Sequence, residues 1–134
     1  MAIRYLLNTN ICIYNAKHNP AVGRARFEQL SANDLAMSVI TLGDLQHGAE
    51  ESQVRSKALA ALGTLQDVIQ VEPLAEATGR HYGEIRSALE RKGQPIGNND
   101  LWIAADARAE GWVLVTNSKR EFRRVDNLMV ENWV

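Results

Sequence analysis

The sequence predicts a three-layer α/β/α sandwich built around a central, mainly parallel sheet. Strand-length apolar runs recur along the chain, and several of them, 112–115 most clearly, are continuous rather than alternating. Continuous apolar runs mark strands buried on both faces, as in parallel sheets covered by helices. These runs alternate with longer segments of helical character, and glycines stand where such helices should end, at Gly93 and Gly111.

The elements follow in order. Arg4 to Leu7 is a short apolar-biased strand that stops at the polar triplet Asn8-Thr9-Asn10. Ile11 to Tyr14 begins a short helix, and Pro20 starts another over Ala21 to Leu30, because proline suits the first helical turn. Leu35 to Ile40 is the second strand. Thr41, with Asp44 three residues on, approximates a capping box for a helix running to about Glu51. Gln53 to Asp67 is a further helix carrying Leu59, Leu62 and Leu65. Val68 to Val71 is a third strand, closed by Pro73. Leu74 to Lys92 is the longest helix, with Arg80, Glu84 and Arg91 on its solvated face. The turn 94–99 leads to a helix from about Asp100 to Glu110, then to the strand Trp112 to Val115, and Leu128 to Val130 is the last, edge strand. One domain over 1–134 is expected, since no linker, repeat or low-complexity tract interrupts the chain.

Composition excludes several classes. Lys and Arg total 15 against 16 Asp and Glu, so the chain is no general basic coat for nucleic acid, although a basic patch beside an acidic pocket is compatible with the sum. A single cysteine, Cys12, rules out an internal disulfide framework and any thiolate metal cluster, and a reducing, cytoplasmic setting is expected. The three histidines, His18, His47 and His81, lack ligand spacing, so zinc is not expected. No G-x-S-x-G elbow, GxGxxG or GxxxxGK[ST] loop occurs. No apolar run approaches the ~20 residues of a membrane span, and no signal peptide is expected.

Ligands of open parallel sheets bind at the carboxyl ends of the strands. Asn8, Thr9 and Asn10 follow the first strand, Thr41 and Asp44 the second, and Thr116, Asn117 and then Glu121 the late strand, while Asp100 opens a helix. Oxygen donors of this kind suit a hard divalent cation, Mg2+ or Mn2+. Each has an ordinary structural role as well. Asp44 is a capping residue, Asp100 a first-turn acid favoured by the helix dipole, Glu121 a surface ion-pair partner, and Asn8 and Asn10 turn formers or caps. Their joint placement on one rim is what points to a site. Lys119, Arg120, Arg123 and Arg124 form the densest basic cluster, suited either to a solvated face or, near the rim, to phosphates.

Three segments resemble the PIN-domain ribonucleases, and specifically the VapC-type toxins of bacterial toxin–antitoxin pairs: LLNTNICIY, SVITLGDLQHGAEES and PIGNNDLWIAADARAEGWVLVTNSKREFRRV. The resemblance runs from about residue 4 to Trp133. It implies a PIN-like fold and an endoribonuclease whose acids hold Mg2+ or Mn2+ against an RNA phosphodiester. It places the family's acids at Asn8, Asp44, Asp100 and Glu121, with the metal held by Asn8, Asp100 and Asp44. Thr116 takes the place of a hydroxyl near the metal and Asn10 of a structural amide, with Asn117 beside them. Two positions depart from the family. Asp44 stands where Glu is usual, which keeps the charge on a shorter arm. Asn8 stands where Asp is usual, and an amide offers a neutral oxygen without the charge that balances a divalent cation.

A nuclease impaired at Asn8 is therefore the first expectation, with Lys119 and Arg120 holding the RNA backbone. A catalytically dead binder of antitoxin or RNA on the same fold is the second. A phosphoacceptor receiver-like domain is third, and it lacks the acceptor Asp expected after Val68 to Val71. The family further implies a homodimer wrapped by a VapB-type antitoxin, for which Ile11, Tyr14 and Leu45 are candidate groove residues with core packing as their ordinary role.

Overall fold

The computed structural model describes residues 4–12 and 34–133. Its strands are β1 (Tyr5–Leu7), β2 (Leu35–Ser38), β3 (Gln70–Glu72), β4 (Val113–Val115) and β5 (Val130–Glu131). Its helices are α1 (Val39–Glu50), α2 (Arg55–Val68), α3 (Glu76–Arg91), α4 (Asn98–Glu110) and the single turn α5 (Lys119–Phe122). Residues 9–12 are also helical. The sheet runs β3-β2-β1-β4-β5 and every neighbouring pair is parallel.

The continuous apolar runs have the structural meaning expected of them. Leu6, Ala36 and Leu114 point to one face of the sheet, where Ile85 and Leu89 of α3 and Ile103, Ala104 and Ala107 of α4 cover them. Leu7, Leu35, Met37 and Val115 point to the other, against Ile11, Cys12, Ile69 and Trp133. Adjacent residues on a strand face opposite ways, so only a strand apolar at both parities can sit between two layers. Cys12 is a core residue, and burial pushes its thiol up to about 12, far from reactive.

Several boundaries differ from the sequence expectations. The second strand stops at Ser38 rather than Ile40, because Ser38 is itself a helix cap: its hydroxyl accepts from the Ile40 N–H and Val39 is already helical. Thr41 and Asp44 therefore form no capping box. Thr41 is buried inside the first turn and Asp44 lies in the second turn of α1. The third strand is Gln70–Glu72 instead of 68–71, and the last is Val130–Glu131 instead of 128–130. The helix expected over 21–30 and the end of the one over 11–14, Tyr14 included, lie outside the described residues.

Topology sets where functional groups gather. All strands are parallel, so the ends of β1, β2 and β4 share one rim. α1 starts there, directly after β2. α4 ends at Gly111 just before β4 begins, so it runs antiparallel to that strand and its N-terminus returns to the same rim.

Candidate active site

Asn8 continues directly from β1. It is 1% exposed, and its backbone N–H extends the ladder to the Val115 carbonyl. Its side chain is fully engaged: Oδ1 accepts from the Ile11 N–H at 3.1 Å, capping the 9–12 turn, and Nδ2 donates to Thr116 Oγ1 at 2.9 Å. Thr116 is buried and its hydroxyl also accepts from the Ser118 N–H, which fixes the chain as it leaves β4. Asn10 donates to the Ser118 hydroxyl at 3.2 Å, a second tie between the two strand ends. The capping role and the rim placement expected of these amides thus coexist.

Asp44 reaches the same rim from α1. Thr9 Oγ1 donates to its Oδ2 at 2.9 Å and Asn99 Nδ2 to its Oδ1 at 2.7 Å. One carboxylate therefore bridges the turn after β1 and the N-terminus of α4. Asp100 is the third residue of α4 and is partly buried. Its carboxyl is held above the ordinary range, first by burial and then by the negative charges of Glu121 and Asp44. Asp44 and Glu121 are thus each near enough to act on Asp100. Glu121 is exposed on α5 and, among the described residues, makes no ion pair, so its expected surface salt bridge is absent.

The other predicted positions vary. Lys119 is half-buried and Arg120 exposed, one residue from Glu121, and neither is in an ion pair among the described residues. Asn117 is exposed, and its neighbour Ser118 is the residue that joins the network. The sequence reading gave no role to Asn99 or Ser118. The Gly-Asn-Asn turn was the signal available for Asn99, since it sits at the N-terminus of α4, the helix end that returns to the rim.

The donors are carboxylate, amide and hydroxyl oxygens, the chemistry a hard divalent cation takes. Among the described residues no three Asp, Glu, His or Cys side chains stand close enough to enclose an ion by themselves. Mg2+ is commonly held through one or two carboxylates, with waters and substrate phosphate filling its other positions. A cation would also offset the burial and the neighbouring negative charges that raise Asp100. The residues fit such an ion in kind, with less negative charge than an aspartate at position 8 would give.

Residues 5–128 match the PIN domain family. The chain belongs to the PIN-domain family. This PIN domain is 40% identical over 131 residues to the tRNA(fMet)-specific endonuclease VapC of Shigella flexneri, an alignment covering 98% of each chain. It superposes on VapBC2 from Rickettsia felis, solved bound to a promoter DNA fragment, with a TM-score of 0.93 and 38% identity, covering 98% of this chain and 100% of that one. With VapBC-1 from nontypeable Haemophilus influenzae the TM-score is 0.92 at 39% identity, covering 98% of both. Homologues of this PIN domain are thus ribonucleases by name, and VapC nucleases of the family are generally dependent on a divalent metal.

Proposed function

We propose that this chain is a divalent-metal-dependent endoribonuclease, the toxin of a VapBC-type pair, whose activity is impaired by the amide at position 8. The observation that carries the reading is the placement of Asp44, bonded by Asn99, next to Asp100 at the carboxyl rim of a PIN-fold sheet, with Glu121 near enough to act on Asp100. Asp100, Asp44 and Asn8 are the residues to hold the ion, Mg2+ or Mn2+. Held there, it supplies Lewis-acid activation of water and neutralises phosphate charge. Asp44, fixed at both oxygens by Thr9 and Asn99, orients the attacking water together with Glu121. Lys119 and Arg120 hold the RNA backbone. Thr116, Asn10 and Asn117 support the turns, and Asn8 adds a neutral oxygen that already accepts from Ile11.

The partners in this reading are RNA and a VapB-type antitoxin, with homodimerisation, in the cytoplasm. Ile11 and Leu45 were groove candidates, and Ile11 is fully buried, so it serves the core. Among the described residues no helix is long and apolar enough to cross a membrane. The engaged Asn8 amide favours the second reading, a PIN-fold binder without cleavage, because both of its polar ends have structural partners.

The deciding experiment replaces Asn8→Asp and assays RNA cleavage with Mg2+ and Mn2+. Restoring the carboxylate is expected to raise metal-dependent cleavage by about 100-fold or more, the scale of a lost transition-state charge interaction. Inactivity of Asn8→Asp across a range of RNAs, with the fold intact by circular dichroism, would sink the nuclease reading and leave the binder.

A further inference from the structure

A cavity of about 450 Å3 opens between α3 and the start of α4, lined by Tyr82, Arg86, Leu89 and Glu90 on one side and by Pro95, Ile96, Asn98 and Leu101 on the other. The cavity includes the first residue of α4, the helix whose N-terminus returns to the rim. Asn98 and Leu101 flank Asp100 on α4, and Arg124, from the basic segment after Glu121, donates to the Pro95 carbonyl. The volume is within the range of small-ligand sites.

Its polar groups are specific. Tyr82, Arg86 and Glu90 recur every four residues on α3 and so share one face. Tyr82 stacks on Trp102, with ring centroids 3.9 Å apart and planes 17° apart, and the Arg86 guanidinium lies 6.0 Å from the Tyr82 centroid on the same ladder. Arg86 Nε donates to Glu90 Oε2 at 3.1 Å and Nη1 to the Tyr82 hydroxyl at 2.8 Å, while Tyr82 donates to Asn98. Nη2 of Arg86 and Oε1 of Glu90 have no hydrogen-bond partner among the described residues. The pocket therefore presents an unused guanidinium donor beside an unused carboxylate acceptor, over apolar walls from Leu89, Ile96 and Leu101.

We infer that this cavity is a nucleobase subsite which takes a splayed guanine next to the cleaved phosphate, an inference that rests on the nuclease reading above. Single-stranded RNA is read by unstacking a base, packing it on an aromatic or guanidinium plane and bonding its edge. Guanine carries the matching edge: N1–H and N2–H donate to a carboxylate, and O6 accepts from a guanidinium. Adenine offers an acceptor at N1, which faces the carboxylate oxygen unfavourably, and uracil lacks the second donor.

The test measures fluorescence anisotropy of the full chain, as it stands, with short labelled uridylate oligonucleotides bearing one central guanosine, adenosine, cytidine or uridine. The guanosine oligonucleotide is expected to bind roughly five- to tenfold more tightly than the others, the discrimination that a paired polar contact to one base supplies. Arg86→Ala should abolish that preference and Glu90→Gln should reduce it, both with unchanged circular dichroism because both side chains are exposed. Equal affinity for all four oligonucleotides, or a guanosine preference unchanged in both variants, overturns the subsite. So does a shift to a smaller species in sedimentation for Arg86→Ala or Glu90→Gln with RNA binding unaltered, which would mean that a second copy of the chain covers the cavity. Cleavage by Asn8→Asp is scored separately: cleavage without base preference removes the subsite and keeps the nuclease, and guanosine preference without cleavage does the reverse.

Discussion

Asp106 is fully buried on α4, and neither of its carboxylate oxygens has a hydrogen-bond partner within 3.5 Å among the described residues. Burial, and then the charges of Glu110 and Glu72, push its carboxyl from the ordinary 3.8 up to about 7, against the smaller opposing effect of Ser38. The folded state thus holds a proton that the unfolded chain releases at lower pH. Between roughly pH 4 and 7 the folded form binds more protons, so stability falls as pH rises, by an amount on the order of 4 kcal/mol once both states are ionised. Asp106→Asn removes the titration at nearly constant shape. The expected result is a smaller drop in Tm between pH 5 and 8 for the variant, followed by thermal unfolding across that range, and an unchanged drop would show that Asp106 does not set it. Nothing in the sequence marked Asp106, because an acid within an alanine-rich helix looks the same whether it faces solvent or core. The rim acids were legible for the opposite reason. Asp44, Asp100 and Glu121 each follow a strand or open a helix, and parallel topology sends all such positions to one edge. What stayed hidden was how they are held, since the Thr9 and Asn99 bonds to Asp44 join segments far apart in the chain.

Strand interiors and helix ends were the most legible elements, and one boundary shows why others were not. Val39 and Ile40 are β-branched and apolar, so they read as strand, yet Ser38 caps the helix before them and the cap prevails. The short turn α5 carries too few residues for any periodicity to show. Gly111 is the clearest case of a sequence signal with a structural cause. It ends α4 at φ 72°, and its N–H bonds back to Ala107 and Arg108. A Cβ there would meet nothing within 4 Å, so the cost of a side chain is conformational rather than steric crowding. Gly111→Ala is therefore expected to lower stability by about 1 kcal/mol, and Gly111→Asn by less, since asparagine tolerates the left-handed region. Urea unfolding of the three proteins measures this, and equal losses for Ala and Asn would contradict the conformational account.

At the scale of the molecule, the site lies where the central strands β1 and β4 end and α1 and α4 begin, so its charge is linked to the stability of the whole fold. Asn8 is buried there, and a carboxylate in its place would add negative charge to a field that already raises Asp100. Thr116 can accommodate that change, because its hydroxyl can turn to donate to an acceptor while its oxygen keeps the Ser118 N–H. The remaining cost is that of a buried charge with hydrogen bonds but no counter-charge, roughly 1–3 kcal/mol. A divalent cation removes that cost, and any ligand bound only by the folded state stabilises it by mass action, by ≈ 2.7 kcal/mol at a concentration 100 times its Kd. The expectation is therefore paired. In chelator, Asn8→Asp should melt below the parent chain. On adding Mn2+ or Mg2+ it should gain more in Tm than the parent does, and Asp100→Asn should gain least. For a domain of this size each 1 kcal/mol moves Tm by roughly 3–5 °C, well within calorimetric reach. Equal metal-induced shifts in all three proteins would place the ion elsewhere, and no shift in any would remove the metal from the proposed chemistry.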